Sequence, residues 1–477
     1  MSNMEVIPIS APDSMGVFRD TRVRTFFIVD DRLDEAKLRD ALTRLIRDHW
    51  RKLGARIVQR KDGKLEYHVP EVFADDYELF RMSREDSDQP FAKAAASLDL
   101  NSATREGGVT VLPGVEAADA LFRPSTWPQL LSQAPDTPLL LIHLSLFADA
   151  TVITTSVPHV LGDQLGLANI IKAWLGLVEN KIPPPWVGYN EDILPGQKPF
   201  SEYPRSEMFK RGRVRVRYPL ERFFVLLLFI WELITEPKEA HHILFFPTPL
   251  VDSLRERHSN PPSPADKDAD APKLTNGDIL TAIMTKLSRL PRTSPRTISL
   301  SQTINLRGRH PRLTDPQARA GYIHNALVYS TARFRYHPLT PLGDIARLNR
   351  QAVEGVAHDP EVMDVLLAVH REQERRGQAQ HVCEPFEGSY HMTNWVPAWR
   401  DLDFGSVLDK EAGEARGGEK VGLLVLGDGQ TSGSVTRYAA NLMSKTEEGY
   451  WVNFGASTKT MAVVRKYLAE DPMLERL

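Results

Sequence analysis

The sequence predicts an α/β (α+β) protein, and three observations carry that prediction. Strand-like and helix-like periodicities occur in both halves of the chain, which argues against a bundle or a sandwich. Two apolar strand patterns, Leu139 to Leu146 and Thr151 to Val157, lead directly into a helix-period segment, Asp163 to Leu177. A proline-rich, aperiodic stretch beginning KIPPPW at Lys181 separates the two halves.

Each element follows from its local pattern. Asp34 to Trp50 reads as a helix, with Leu38, Leu42, Leu45, Ile46 and His49 on one face and Asp34 as N-cap. Ala55 to Val58 and Leu65 to Val69 flank Lys61-Asp62-Gly63-Lys64, a hairpin turn in which Gly63 supplies the positive φ. The strand Thr151 to Val157 must end at Pro158, which cannot donate to a ladder. His159 then stands at a strand-to-helix junction. In the second half, His242 to Phe246, Thr297 to Leu306, Asn325 to Thr331, Lys420 to Leu426 and Gly449 to Phe454 read as strands. Residues 276–287, most of 341–376, and 457–468 read as helices. Arg257 to Lys273 is expected to be a surface loop.

At 477 residues the chain is long enough for two or three domains. Its 42% hydrophobic and 25% charged content is that of a globular protein. A net charge of −3 gives no reason to expect nucleic acid or an anionic membrane as the main partner. The single cysteine, Cys383, excludes an internal disulfide and is read as a structural thiol. The N-terminal residues lack a basic region followed by an apolar core, so no secretory signal is expected. The most apolar run, Phe223 to Ile230, falls short of the ~20 residues of a membrane span and is expected to form a buried helix. These readings together predict a cytoplasmic protein.

His159-Val160-Leu161-Gly162-Asp163 is the stretch that carries candidate chemistry. A thioester is already activated, so acyl transfer from it needs only three things. They are a base near neutral pKa, a donor to the developing oxyanion, and close placement of two substrates. A histidine held at a strand end meets the first need. His-x-x-x-Asp alone is common by chance. No His-Glu-x-x-His pair marks a metal site among the 14 histidines, and His241-His242 reads as loop or surface. Ser432-Gly433-Ser434 is a poor match to a hydrolase elbow.

Further segments give the motif context. Ser10-Ala11-Pro12-Asp13, Leu53-Gly54-Ala55-Arg56, Thr275 to Ala282, Ile304-Asn305-Leu306-Arg307-Gly308-Arg309, Gly321 to Ala326, Thr393-Asn394-Trp395 and Asp403-Phe404-Gly405 follow in order. Over nearly its whole length the chain thereby resembles the BAHD acyltransferases of plants and fungi, in the fungal secondary-metabolite branch that includes the trichothecene O-acetyltransferase type.

The resemblance implies two chloramphenicol-acetyltransferase-like lobes with a channel between them. The N-terminal lobe would span 1–180, the crossover 181–215 and the C-terminal lobe 216–477, some of whose strands join the first lobe. An acyl-CoA would enter from one side and a small-molecule acceptor from the other, with no permanently bound cofactor and no metal. His159 would be the general base. Asp163 would brace its loop through an arginine of the second lobe, Arg307 first and Arg309 as runner-up. Thr393, Trp395, Asp403 and Gly405 would lie at or near the coenzyme site. Three departures stand out. Gln164 replaces a glycine, Ser406-Val407 replace Trp-Gly, and His324 replaces a glycine before Asn325 and is expected to approach the substrates. The implied activity is transfer of an acyl group, most simply acetyl, to a hydroxyl of a fungal secondary metabolite by a monomer. Two alternatives are transfer from a carrier protein, weakened by Pro158 where a second histidine is usual, and a cyclisation or isomerisation in the same cleft.

Overall fold

Fifteen strands form among the described residues, which are 3–16, 18–103, 107–259, 272–378, 384–409, 420–429, 435 and 437–477 of a computed structural model. In order they are β1 (Met4–Pro8), β2 (Arg22–Val29), β3 (Arg56–Gln59), β4 (Leu65–Pro70), β5 (Arg81–Asp86), β6 (Thr110–Pro113), β7 (Leu141–Leu146) and β8 (Thr151–Pro158). The second half adds β9 (Glu239–Pro247), β10 (Arg296–Asn305), β11 (Leu327–Tyr336), β12 (Gly388–Asn394), β13 (Leu423–Asp428), β14 (Ala439–Lys445) and β15 (Gly449–Ser457). Cys383, Ser432-Gly433-Ser434 and most of the expected loop 257–273 lie outside the described residues.

The strands make three sheets. One is ordered β1-β4-β3, one β13-β2-β8-β7-β5, and one β11-β10-β12-β14-β15-β9-β6. The last two exchange strands. β13, from the second half of the chain, pairs with β2, and β6, from the first half, pairs with β9.

β8 is the middle strand of its five-stranded sheet, and all eight of its residues are buried. Its alternation therefore separates two cores rather than core from water. Ile153 and Val157 face the helices Glu35–Arg44 and Gln164–Val178, while Val152 faces a second cluster with Phe26, Ile28 and Phe147. Thr154 Oγ1 meets its hydrogen-bonding need by donating to Phe122 O at 3.1 Å.

The first helix, Glu35–Arg44, is capped by Asp34 Oδ1, which accepts from Ala36 N and Lys37 N. It ends in a wide turn, Leu45–His49. That extra residue per turn rotates His49 outward, so Trp50, not His49, completes the buried face begun by Leu38 and Leu42. Trp174 Nε1 donates to Leu38 O at 2.7 Å and ties the helix Gln164–Val178 to it. The helical stretch 341–376 is two helices, Leu342–Ala357 and Pro360–Arg375, divided where Asp359 caps a helix opening on proline.

Two sequence expectations need correction. The strand expected from His242 begins earlier, at Glu239, so His241 and His242 do not form the loop or surface pair also read there. They belong to β9, half-buried, and His242 Nδ1 bonds Leu112 O. The helix Pro219–Thr235 forms but is not buried, for only Val225 is enclosed. Its carboxylates turn inward to ion pairs, which leaves its apolar side chains facing out.

Candidate active site

β8 delivers His159 to the end of the five-stranded sheet. The last pair of its ladder is Arg22 with Pro158, after which His159 N donates to Thr21 O at 2.8 Å. Asn325 Nδ2 donates to His159 O at 2.9 Å. The backbone of His159 is thus held by one residue from each half of the chain. Its ring stacks on Phe18, 4.0 Å between centroids and 22° between planes. Nδ1 is sealed from solvent and makes no regular hydrogen bond, although the residue as a whole is partly exposed. Burial pushes the His159 pKa below its ordinary value; its own carbonyl, Asp163 and Asn325 offset only part of this.

Both carboxylate oxygens of Asp163 are hydrogen-bonded within the protein. Oδ1 caps the helix Gln164–Val178 by accepting from Gly166 N at 2.9 Å. Oδ2 accepts from Ala326 N and from Arg307 Nη1, both at 2.9 Å. Arg307 is 3% exposed, so it is no surface arginine. It also donates to Tyr322 O at 3.0 Å, Ile323 O at 3.2 Å and His324 O at 2.5 Å. One guanidinium therefore fastens the loop before β11 to the loop after β8. Arg309 instead bonds Asn305 O.

Glycine at 162 and 166 permits this contact. A Cβ at either position would overlap the Ile323 carbonyl oxygen. Gly166→Ala is therefore expected to lower stability by about 1–3 kcal/mol, the usual cost of overpacking, read as a fall in melting temperature. Unchanged melting would mean that the two loops can separate freely.

Two residues that sequence reasoning left without a role complete the network. Asp13 Oδ1 accepts from Asn325 N at 2.9 Å and Asn325 Nδ2 at 2.8 Å, and Ser10 Oγ donates to Oδ2 at 2.6 Å. Burial raises the Asp13 carboxyl to about 6. Lys52, 2% exposed, lies 3.0 Å from His324 Nε2 and over the Tyr67 ring. Burial pushes it down to about 8. The Ser10-x-x-Asp13 match was the available signal for the first. For Lys52 and Phe18 the sequence offers none.

His324 is buried. Its ring is enclosed among Tyr67, Trp186 and Tyr322, with Nδ1 3.1 Å from Leu161 O. Burial and the neighbouring Lys52 charge push its pKa well down, so the neutral ring donates at Nδ1 and accepts from Lys52 at Nε2.

The remaining candidates lie elsewhere. Thr393 is near the end of β12, and Trp395 packs on Gly427 of β13. Gln164 occupies space beside β2, its amide bonded to Thr25 Oγ1. Asp403 and Gly405 are exposed, with Gly405 N donating to Asp403 Oδ1 at 2.9 Å. The turn that follows them pairs with the segment beyond the far end of β2, where Asp34 N donates to Val407 O and Asp409 N to Arg32 O. That is the opposite end of β2 from Arg22 and His159. Among the described residues no cluster of three or more His, Cys, Asp or Glu side chains is placed to hold a metal.

No family model matches the chain. Acetyltransferase adrJ of Penicillium rubens is 27% identical over 428 residues, 86% of this chain and 83% of its own length. A Penicillium decumbens protein named transcriptional regulator calD is 26% identical over 98% of this chain and 96% of its own. The crystal structure of F. sporotrichioides TRI101 complexed with coenzyme A and T-2 superposes with a TM-score of 0.66 at 13% identity, over 96% of each chain. The chain shares the fold of the TRI101 structures and is similar in sequence to fungal acetyltransferases.

Proposed function

We propose that this protein is an acyl-CoA-dependent acyltransferase. On this reading it transfers an acetyl group to a hydroxyl of a fungal secondary metabolite such as a terpenoid, polyketide or alkaloid. The observation that carries the reading is His159 at the end of the central strand, with a depressed pKa and a loop whose Asp163 is clamped by Arg307 of the other half. A neutral imidazole is what base catalysis requires. His159 takes the acceptor hydroxyl proton as the oxygen attacks the thioester carbonyl. The tetrahedral intermediate collapses, the C–S bond breaks, and the proton passes from His159 to the leaving thiolate.

On the same reading, lobes 1–180 and 216–477 are joined by the crossover 181–215 and meet along a channel. Thr393 and Trp395 line its coenzyme side, and Asp403 and Gly405 shape its edge. The enzyme works as a cytoplasmic monomer.

The pH dependence follows in sign. The base must be unprotonated, so kcat/KM is expected to fall as pH drops through the lowered His159 pKa and to be flat above it. An inflection above the ordinary histidine value of roughly 6.5 would contradict the assignment. The donor is tested by mass spectrometry with free acetyl-CoA, longer acyl-CoAs, a pantetheine-loaded carrier domain, and no thioester. Product with free acyl-CoA supports the proposal. Product only from the carrier, or without any thioester, overturns it.

A further inference from the structure

The helix Pro219–Thr235 is amphipathic in the reverse of the usual sense. Its inward side carries Glu221 and Glu232. Glu221 pairs with buried Arg215 at 2.7 Å, while Glu232 accepts from Arg296 at 3.2 Å and from Tyr438 Oη at 2.5 Å. Its outward side carries Leu220, Phe223, Leu227, Ile230, Trp231 and Ile234, each between 47% and 68% exposed. Their spacing places them on one helical stripe. Phe386, held at φ +66°, sets its ring 5.2 Å from Phe224 and extends the patch. That backbone conformation is costly for an aromatic residue and is seldom kept without a purpose.

We propose that this helix is an interfacial anchor that lies in the surface of an anionic lipid bilayer. Charge around it is complementary to lipid headgroups. Between 205 and 222 the chain has seven Arg and Lys against two Glu, of which Arg213, Arg215 and Arg217 turn inward. Arg205, Lys210 and Arg211 are exposed before the helix, and Lys238 is exposed after it. Such cations each add roughly 1 kcal/mol beside acidic lipid. The stripe offers no hydrogen-bonding side chain but Trp231, whereas protein interfaces carry about one hydrogen bond per 100–200 Å². A second copy fits less well. The helix is about 25 Å long, and a contact one side chain wide falls short of the roughly 1,200 Å² a stable dimer buries. No helix among the described residues is long and apolar enough to cross a membrane, so the anchor lies on the bilayer.

The test is flotation of the full chain with phosphatidylcholine vesicles, with and without phosphatidylserine, alongside sedimentation velocity. The wild type is expected to float, more strongly with phosphatidylserine and less in high salt. Leu227→Glu/Ile230→Glu should lose roughly 100-fold or more in lipid affinity while keeping its melting temperature, since both residues face solvent. Lys210→Glu/Arg211→Glu should lose the phosphatidylserine preference. Failure of the wild type to float, or flotation of the Leu227/Ile230 variant like wild type, overturns the proposal. So does a wild-type dimer that the same variant dissolves, since the occupant would then be a second copy.

Discussion

His159→Ala is expected to lower kcat by roughly 10²–10⁴ while leaving the fold intact. The fold should survive because what holds the loop does not use the ring. Asn325 bonds the His159 carbonyl, His159 N bonds Thr21 O, and Arg307 grips Asp163 four residues beyond the ring. The ring contributes its stack on Phe18. Steady-state kinetics paired with thermal melting separates the two effects. Near wild-type turnover in the variant would remove His159 from the chemistry. A residual rate that no longer falls with decreasing pH would identify the lost group as the one that titrated.

The second large effect is on stability. Arg307→Ala is expected to cost about 3–5 kcal/mol, the usual result of stripping one partner from a buried ion pair. Two consequences add up there. Asp163 loses its countercharge, and the carbonyls of Tyr322, Ile323 and His324 lose their donor. Arg307→Lys should recover only part of this, because one ammonium cannot reproduce the planar fork. Asp163→Asn should likewise act mainly on melting temperature and folded yield. Abolished turnover in a fully stable Asp163→Asn protein would show that Asp163 serves the chemistry directly.

Much of this site was legible in the sequence, and the reasons are local. β7, β8 and the following helix have strong periodicities, and Pro158 must end a strand, so the position of His159 follows from short-range rules. Arg307 could be nominated because Ile304 and Leu306 alternate with it, and both prove buried. What was not legible depends on distant pairing. The strand exchange that puts β13 beside β2 and β6 beside β9 leaves no mark in either segment. Phe18 and Lys52 reach the site through the fold alone. The helix Pro219–Thr235 misled for a specific reason. An apolar run reads as buried unless the ion pairs of its few acids are known, and Arg296 and Tyr438 lie far along the chain. The net charge of −3 also hid the local excess of cations before that helix.

Label transfer tests most directly whether His159 drives acetyl transfer from coenzyme A. Purified protein is given acetyl-CoA labelled in the acetyl carbonyl together with a panel of hydroxylated fungal metabolites. Free thiol and labelled product are then counted for wild type and His159→Ala. One free coenzyme A thiol per labelled acceptor is expected in the wild type, with both signals lost together in the variant. Label transfer that persists at the wild-type rate in His159→Ala, or acceptor conversion without thiol release, would contradict that role for His159.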